Sequence, residues 1–527
     1  MNKLIYTFVF LFFFINTWSQ TPFISGVCFG LPSGTFSTAT GPSSMVQGDF
    51  NNDGKIDIAL PNSGSNNVSV LLGLGIGSFN AAVNYTAGSG STDICKADFN
   101  NDGKLDLAVA NQNSNNISIL IGNGNGTFNA PQNIVVSNSP INIKSADLNN
   151  DNKADLIVAN LLSNNIAVLL GDGLGGISST TNYTVGNQPQ GLAIADYNND
   201  GTFDVAVSNS YSNDVTILLG TGTGAFNYYA TIAIGASTSP VYIVTADLNN
   251  DSNLDLVTAN CGSNNLTILS GNGTGSFAIS GTLLQAGCPN FLSVSDFNAD
   301  GNFDIASANY FANNATIFLG TGLGSFSTTI PTFTTNVSTA IAVGASDYNM
   351  DGKMDIAIVN NSLNNVTTYL QTNLPAISIV SSNSVLCSSQ SSILSVSGAN
   401  YYYWSTGSVT NSISITPSIT TSYMVEGNMS NSCFNSTTYT QTVMSCTGLE
   451  DNMYNFNKTL NIYPNPNNGS FIIESENETT ILVTTILGEV ALIQKLQQGK
   501  NEVNLSNQSS GLYFIKLGNS AFKIIKE

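Results

Sequence analysis

One nine-residue pattern recurs seven times at nearly fixed spacing, and this constrains the fold more than anything else in the chain. DFNNDGKID begins at Asp49, DFNNDGKLD at Asp98, DLNNDNKAD at Asp147, DYNNDGTFD at Asp196, DLNNDSNLD at Asp247, DFNADGNFD at Asp296 and DYNMDGKMD at Asp347. The intervals are 49, 49, 49, 51, 49 and 51 residues. After each pattern comes an apolar run such as Ile56 to Leu60, a polar turn such as Asn62 to Asn67, and a second run, Val68 to Leu72. A glycine turn (Gly73-Leu-Gly75-Ile-Gly77) and a last extended stretch complete the unit. No unit shows a helical period, so each reads as four short strands joined by turns. Seven such units predict an all-β chain with a seven-bladed β-propeller over residues 20–374, followed by two small β-sandwich domains.

Two details predict closure into a ring. The residue before each pattern is small (Gly48, Ala97, Ala146, Ala195, Ala246, Ser295, Ser346), as crowding near an axis requires. The seventh unit ends near Pro375 without a glycine turn or fourth strand, while Gly30 to Phe36 lies spare ahead of the first pattern. The N-terminal strand is therefore expected to complete the last blade.

Oxygen-bearing side chains occupy positions 1, 3, 5 and 9 of every pattern. They are Asp49, Asn51, Asp53 and Asp57; Asp98, Asn100, Asp102 and Asp106; Asp147, Asn149, Asp151 and Asp155; and Asp196, Asn198, Asp200 and Asp204. The last three sets are Asp247, Asn249, Asp251 and Asp255; Asp296, Asn298, Asp300 and Asp304; and Asp347, Asn349, Asp351 and Asp355. The position 7 carbonyl (Lys55, Lys104, Lys153, Thr202, Asn253, Asn302, Lys353) adds a further oxygen. Hard oxygen ligands along a tight turn suit Ca²⁺ better than Mg²⁺, so up to seven structural calcium ions are expected. Position 6 is Gly except at Asn152 and Ser252, which makes the fifth site the weakest. Apolar positions 2 and 8 (Phe50 and Ile56) are expected to plug the turn into the blade core. An EF-hand is excluded, because position 12 is Leu60 rather than Glu and strands flank the turn.

The acids dominate the charge: 33 acids against 13 bases give −20, and the chain has no His and no Arg. Catalysis through Ser-His-Asp or Cys-His is excluded, as is a His-bound metal. Nucleic acid is not expected as a partner, since the field repels polyanions. Residues 20–374 hold 24 Asp and no Glu, and only Asp93, Asp172 and Asp214 lie outside the patterns. Asp93 reads as sitting in the loop between two blades, and no carboxylate pair is supplied for acid catalysis.

Residues 1–19 read as a signal peptide: Lys3, an apolar run, then small residues at Thr17 and Ser19. No later apolar stretch is long enough to span a membrane. Seven cysteines in an exported chain permit disulfides. Cys261 and Cys288 fall in loops on one face of the disc and are one candidate pair. Residues 375–447 alternate polar and apolar and read as a β-sandwich, with Cys387, Trp404 and Cys433 in the order of an immunoglobulin-like core. Cys387–Cys433 is the preferred bridge there, with Cys446 free or in place of Cys387. The cluster Tyr401 to Trp404 could stack on sugar, although packing in the core or at a sheet edge is the stronger reading. Residues 448–458 form a polar linker. Residues 459–527 form a separate unit with Tyr463-Pro464-Asn465-Pro466, Gly511-Leu512-Tyr513, and Lys523 and Lys526 near the end.

The repeats resemble the FG-GAP or VCBS-type repeats of seven-bladed propellers such as the integrin α-chain head. That resemblance implies calcium in the first hairpin of each blade and an extracellular binding or adhesion role. The middle segment is similar to Ig-like or PKD-like modules. The last resembles the type A sorting domain of type IX secretion substrates, implying export to the surface of a Gram-negative bacterium or beyond. The expected function is therefore non-enzymatic: a calcium-stabilised module that binds a glycan or protein with the face opposite the acidic turns. The rivals are a polysaccharide lyase or hydrolase on the same scaffold, and a passive surface protein.

Overall fold

A computed structural model describes residues 27–285, 287–327, 332–334, 339–429, 433–444, 461–517 and 520–527. The expected signal peptide and linker lie outside them. Contacts divide the chain into two units, Met1–Met444 and Ser445–Glu527.

The first unit contains seven four-stranded antiparallel sheets, one per repeat. Blade 1 is built from Val46–Gly48, Asp57–Asn62, Asn67–Leu71 and Val83–Thr86, in that order across the sheet. The second strand is buried along its whole length in every blade, because its two faces meet the neighbouring blades. Hence its residues, such as Ile58-Ala59-Leu60, run continuously apolar instead of alternating. Core clusters lie between blades: Ile157, Ile166 and Val168 of blade 3 pack on Leu192, Val205 and Val207 of blade 4.

The last blade closes the ring as expected. Phe29–Ser37 pairs antiparallel with Asn365–Gln371 and forms the fourth strand of the sheet containing Asp355–Asn360 and Ala340–Ser346.

Residues Ser378–Met444 form two sheets of three and four strands. They pack around Trp404, Leu394, Ile415 and Val425, giving a sandwich. The expected Cys387–Cys433 bridge is not formed. Cys433 bonds instead to Cys28, 405 residues away, at the start of the ring-closing strand. Cys387 is itself disulfide-bonded. Spacing alone cannot fix connectivity, and here the bond joins two separately folded segments. Cys261–Cys288 forms as expected, and Cys95 is free and buried.

In the second unit, sheets of three and four strands share a core around Phe471, Ile481, Leu496 and Ile515. The YPNP segment and the terminal strand are stitched together. Asn465 Nδ2 donates to the Lys523 carbonyl (2.7 Å) and the Ile525 amide donates to Asn465 Oδ1 (2.8 Å). Lys526 is buried, and its ammonium donates to the carbonyls of Leu505, Ser506 and Gln508.

Candidate functional site

Each acidic turn links the first and second strands of a blade, and the turns share one face of the disc. The backbone enters the left-handed region twice per turn, at position 4 (Asn52, φ 58°) and position 6 (Gly54, φ 78°). Asn152 (φ 59°) and Ser252 (φ 68°) take the same conformation where glycine is absent. Position 4 is Ala299 and Met350 in the last two turns, where side chains disfavour such a φ.

The donor pattern is identical in all seven. In the first, the Asp53 amide donates to both Asp49 Oδ1 (3.1 Å) and Asn51 Oδ1 (3.0 Å), so those two oxygens converge on one nitrogen. The Gly54 amide donates to Asp49 Oδ2 (2.8 Å). Position 5 carboxylates are solvent-facing. Lys55 and Lys104 donate to Asp53 (2.9 Å) and Asp102 (3.0 Å), and these bonds hold both carboxyls below their usual range. Lys153 and Lys353 pair with Asp151 and Asp351 in the same way. The other three turns have no lysine, and there the position 3 amide donates to position 5: Asn198 to Asp200, Asn249 to Asp251, Asn298 to Asp300. This lysine or amide hydrogen bond to position 5 was not visible from spacing, which assigned position 7 only a carbonyl.

Position 9 is different. Asp57, Asp106, Asp155, Asp204, Asp255, Asp304 and Asp355 are fully buried. Asp57 Oδ2 accepts from the Phe50 amide (2.9 Å) and Oδ1 from the Gly73 amide (2.7 Å). In six blades this carboxylate therefore clamps its turn to the glycine turn of the same blade. Burial pushes these carboxyls up, to about 6 for Asp57, Asp106, Asp204, Asp304 and Asp355, and the acids at positions 5 and 1 add to the rise. Position 2 plugs the core as expected (Phe50, Phe99, Tyr197 and Phe297 are buried). Position 8 does not: Ile56 is half-buried, and Phe203 and Phe303 are exposed. Its carbonyl instead lies against the first glycine of the glycine turn, where a Cβ on Gly73 would come within 2.2 Å of the Ile56 oxygen.

Among the described residues, no three Asp, Glu, Cys or His side chains close on a single point. The oxygens that do converge are those of Asp and Asn at positions 1 and 3, both on the position 5 amide, and both are of the type hard cations take.

Two rings of hydrogen bonds join the blades. On the acidic face, the position 2 carbonyl accepts from the last amide of the next blade's glycine turn, as Gly126 donates to Phe50 and Gly77 to Tyr348. The seventh blade has no glycine turn, so Gln371 takes over both jobs. Its Nε2 donates to the Phe297 carbonyl (2.8 Å) and its amide to Asp355 Oδ1 (2.8 Å). On the opposite face, a left-handed asparagine in each loop between the second and third strands accepts from the next blade's backbone. Asn66 accepts from Gly90, Asn115 from Ser139, Asn164 from Gln188, Asn213 from Ser239, Asn264 from Cys288 and Asn313 from Thr339. Asn364 closes this ring on Gly41 (2.8 Å). Sequence reading saw these asparagines only as polar turns, although their recurrence was the available signal.

Asp93 is not in a loop. It lies in the first strand of blade 2 (Ser91–Ala97) and is buried. Ser44 and Asn142 donate to it at 2.5 and 2.7 Å, and the Lys144 ammonium lies 3.4 Å away, over the ring of Tyr242. Asp172 caps the amides of Leu174 and Gly176, and Asp214 accepts from Asn209.

Seven four-stranded blades, an acidic turn in each, and a strand borrowed from the N-terminus define a repeat-built β-propeller. The chain belongs to the FG-GAP-like repeat family, matched over residues 49–109, 98–158, 147–207, 196–258 and 296–358. Residues 461–527 match a secretion system C-terminal sorting domain, which marks the chain for type IX secretion to the cell surface or outside. Among the described residues no helix is long and apolar enough to cross a membrane. No curated protein matches the chain. Among solved structures, BBS1N in complex with ARL6DN is similar at 13% identity and TM-score 0.47, over 65% of this chain and 96% of that one. A protein from Lactobacillus plantarum is similar at 11% and 0.42, over 73% and 96%. A periplasmic gluconolactonase from Pseudomonas aeruginosa is similar at 15% and 0.44, over 55% and 85%.

Proposed function

We propose that the propeller is an extracellular, calcium-stabilised binding module whose partner, a glycan or a protein, docks on the face opposite the acidic turns. The observation that carries this is a set of exposed apolar side chains on the tips of a braced frame. Leu162 (65% exposed), Tyr211 (71%) and Phe311 (71%) stand on the loops between second and third strands. The asparagine ring braces those same loops, and Cys261–Cys288 braces the equivalent loop of blade 5. Large apolar groups held in water on a rigid support favour a partner that covers them. The test is binding of the secreted chain to glycan and purified surface-protein arrays. Tyr211→Ala with Phe311→Ala should lose the signal while the melting curve stays unchanged; retained binding refutes the assigned face.

Calcium would be held by positions 1, 3 and 5, the position 7 carbonyl and the outward lone pairs of position 9. Its charge would relieve the repulsion among these acids. Support comes from that repulsion and from the convergence of the position 1 and 3 oxygens on one nitrogen. Calcium added to metal-free protein should raise the melting temperature, because it binds folded turns only; an unchanged curve sinks the metal reading. The non-enzymatic reading is supported by Asp93, Asp172 and Asp214, each of which is engaged in structural hydrogen bonds.

A further inference from the structure

The sandwich at Ser378–Met444 carries a second surface with its own chemistry. The strand Tyr401–Trp404 lies at the edge of its sheet and alternates in burial. Trp404 is fully buried and donates through Nε1 to the Thr410 carbonyl (2.9 Å). Tyr402 is anchored by hydrogen bonds between its hydroxyl and Ala399. Tyr401 and Tyr403 point the other way and are 67% and 56% exposed. The sequence cluster thus divides into a core half and a surface half.

The surface half lines a cavity of about 310 Å³ together with Tyr402, Glu426, Asn428 and Phe434. The strand register sets out this floor in three rows. Tyr401 faces Asn428 and Tyr403 faces Glu426, while Asn428 in turn faces Phe434. Aromatic rings therefore flank a central polar row. Rows on neighbouring strands are about 4.8 Å apart and alternate residues along one strand about 7 Å, so the floor is about 10 Å wide.

Glu426 is the only charged residue between 375 and 447. No described group hydrogen-bonds or ion-pairs with its carboxylate, nor with the Tyr401 and Tyr403 hydroxyls or the Asn428 side chain. These groups face solvent with their bonding capacity unspent. A polyanion finds no cation here and meets a carboxylate. A saccharide meets flat rings for its C–H faces, and an acceptor and an amide for its hydroxyls. The unpaired sheet edge leaves room for a chain to run past the site.

We infer that this aromatic floor is a carbohydrate-binding site for an uncharged polysaccharide, with Tyr401, Tyr403 and Phe434 stacking on pyranose rings and Glu426 and Asn428 taking up hydroxyls. The site stands apart from the propeller face proposed above and does not depend on it.

Affinity electrophoresis of the full chain tests this. The probes are a soluble β-glucan, a xylan and a galactomannan, with alginate as anionic and chitosan as cationic control. At least one neutral polysaccharide should retard the native protein and alginate should not. Replacing both rings (Tyr401→Ala with Tyr403→Ala) should weaken retardation about tenfold or more, the effect expected from losing stacking contacts. Glu426→Gln should weaken it less. Because both tyrosines are exposed, the melting curve should not move, and Phe311→Ala in the propeller should leave retardation intact. Absence of retardation by all three neutral probes overturns the inference, as does undiminished binding by the double variant. Retention by chitosan alone, lost in Glu426→Gln, overturns it in favour of a cationic ligand.

Discussion

Cutting the Cys28–Cys433 bond should loosen the ring at its seam before anywhere else. The fourth strand of the last blade, Phe29–Ser37, is held by pairing with Asn365–Gln371 and by the Thr372 amide bonding to the Cys28 carbonyl (2.7 Å). A strand at the outer edge of a blade, attached only on its C-terminal side, would fray readily. The disulfide attaches its other end to the sandwich. Closing a loop of 405 residues restricts the fully unfolded chain by about 6 kcal/mol in the chain-entropy model, more than such bonds usually deliver. For fraying of the strand alone, with the sandwich still folded, the chain set free is only Cys28 to Ser37, and the same model gives about 3 kcal/mol. Cys28→Ser and Cys433→Ser should each lower the melting temperature on the order of 5–10 °C at fixed calcium. Amide exchange should show the Phe29–Ser37 strand losing most of its protection while the second strands keep theirs. The double variant should match the singles, because all three break one bond. Unchanged exchange in Phe29–Ser37 would show that strand pairing alone locks the ring and that the disulfide contributes nothing to closure.

Other consequences can be checked independently. Burial raises the position 9 carboxyls to about 6 in five turns, above their unfolded value, so their protonated forms favour the folded state. Metal-free protein should therefore melt higher at pH 5 than at pH 7.5, losing that stability as pH rises through 6, and calorimetry across this window reads the trend directly. Asn364→Ala should cost about 1–3 kcal/mol by leaving the Gly41 amide unpaired, and urea unfolding should show it more sensitive than an exposed control such as Asn187→Ala. Gln371→Ala should destabilise further, since it leaves the Phe297 carbonyl without its donor. The Cys95 thiol, pushed up to about 12 by burial, should resist alkylation until the protein unfolds.

The blade count, the ring closure and the acidic turns were legible because each is written repeatedly or by complement. A sevenfold pattern reports the repeat, and a missing fourth strand at one end matches a spare strand at the other. What escaped was set by geometry between repeats. Asn66 and its equivalents look like any turn asparagine until the next blade's amide is placed beside them. Phe203 and Phe303 fit an apolar position 8, yet only its carbonyl, tucked against the following glycine, is needed inside. Asp93 reads as a loop residue because a lone acid suggests exposure, whereas inside the first strand it is paired by Ser44, Asn142 and Lys144. The Cys28–Cys433 bond joins segments whose proximity exists only after the ring has closed.

The two hydrogen-bond rings bear differently on metal binding. On the acidic face, one turn supplies the proposed ligands, a position 2 carbonyl tied to the next blade, and a position 9 carboxylate tied to its own glycine turn. A cation ordering that turn would therefore stiffen the blade interface as well as the loop. The asparagine ring shares no residue with the turns and would persist without metal. Metal loss should thus loosen one face of the disc and leave the other, with its exposed Tyr211 and Phe311, in register. Gln371 concentrates both acidic-face contacts of the last blade in one side chain and its amide. At its interface with blade 6 the last blade therefore relies on a single residue where other blades use a whole glycine turn.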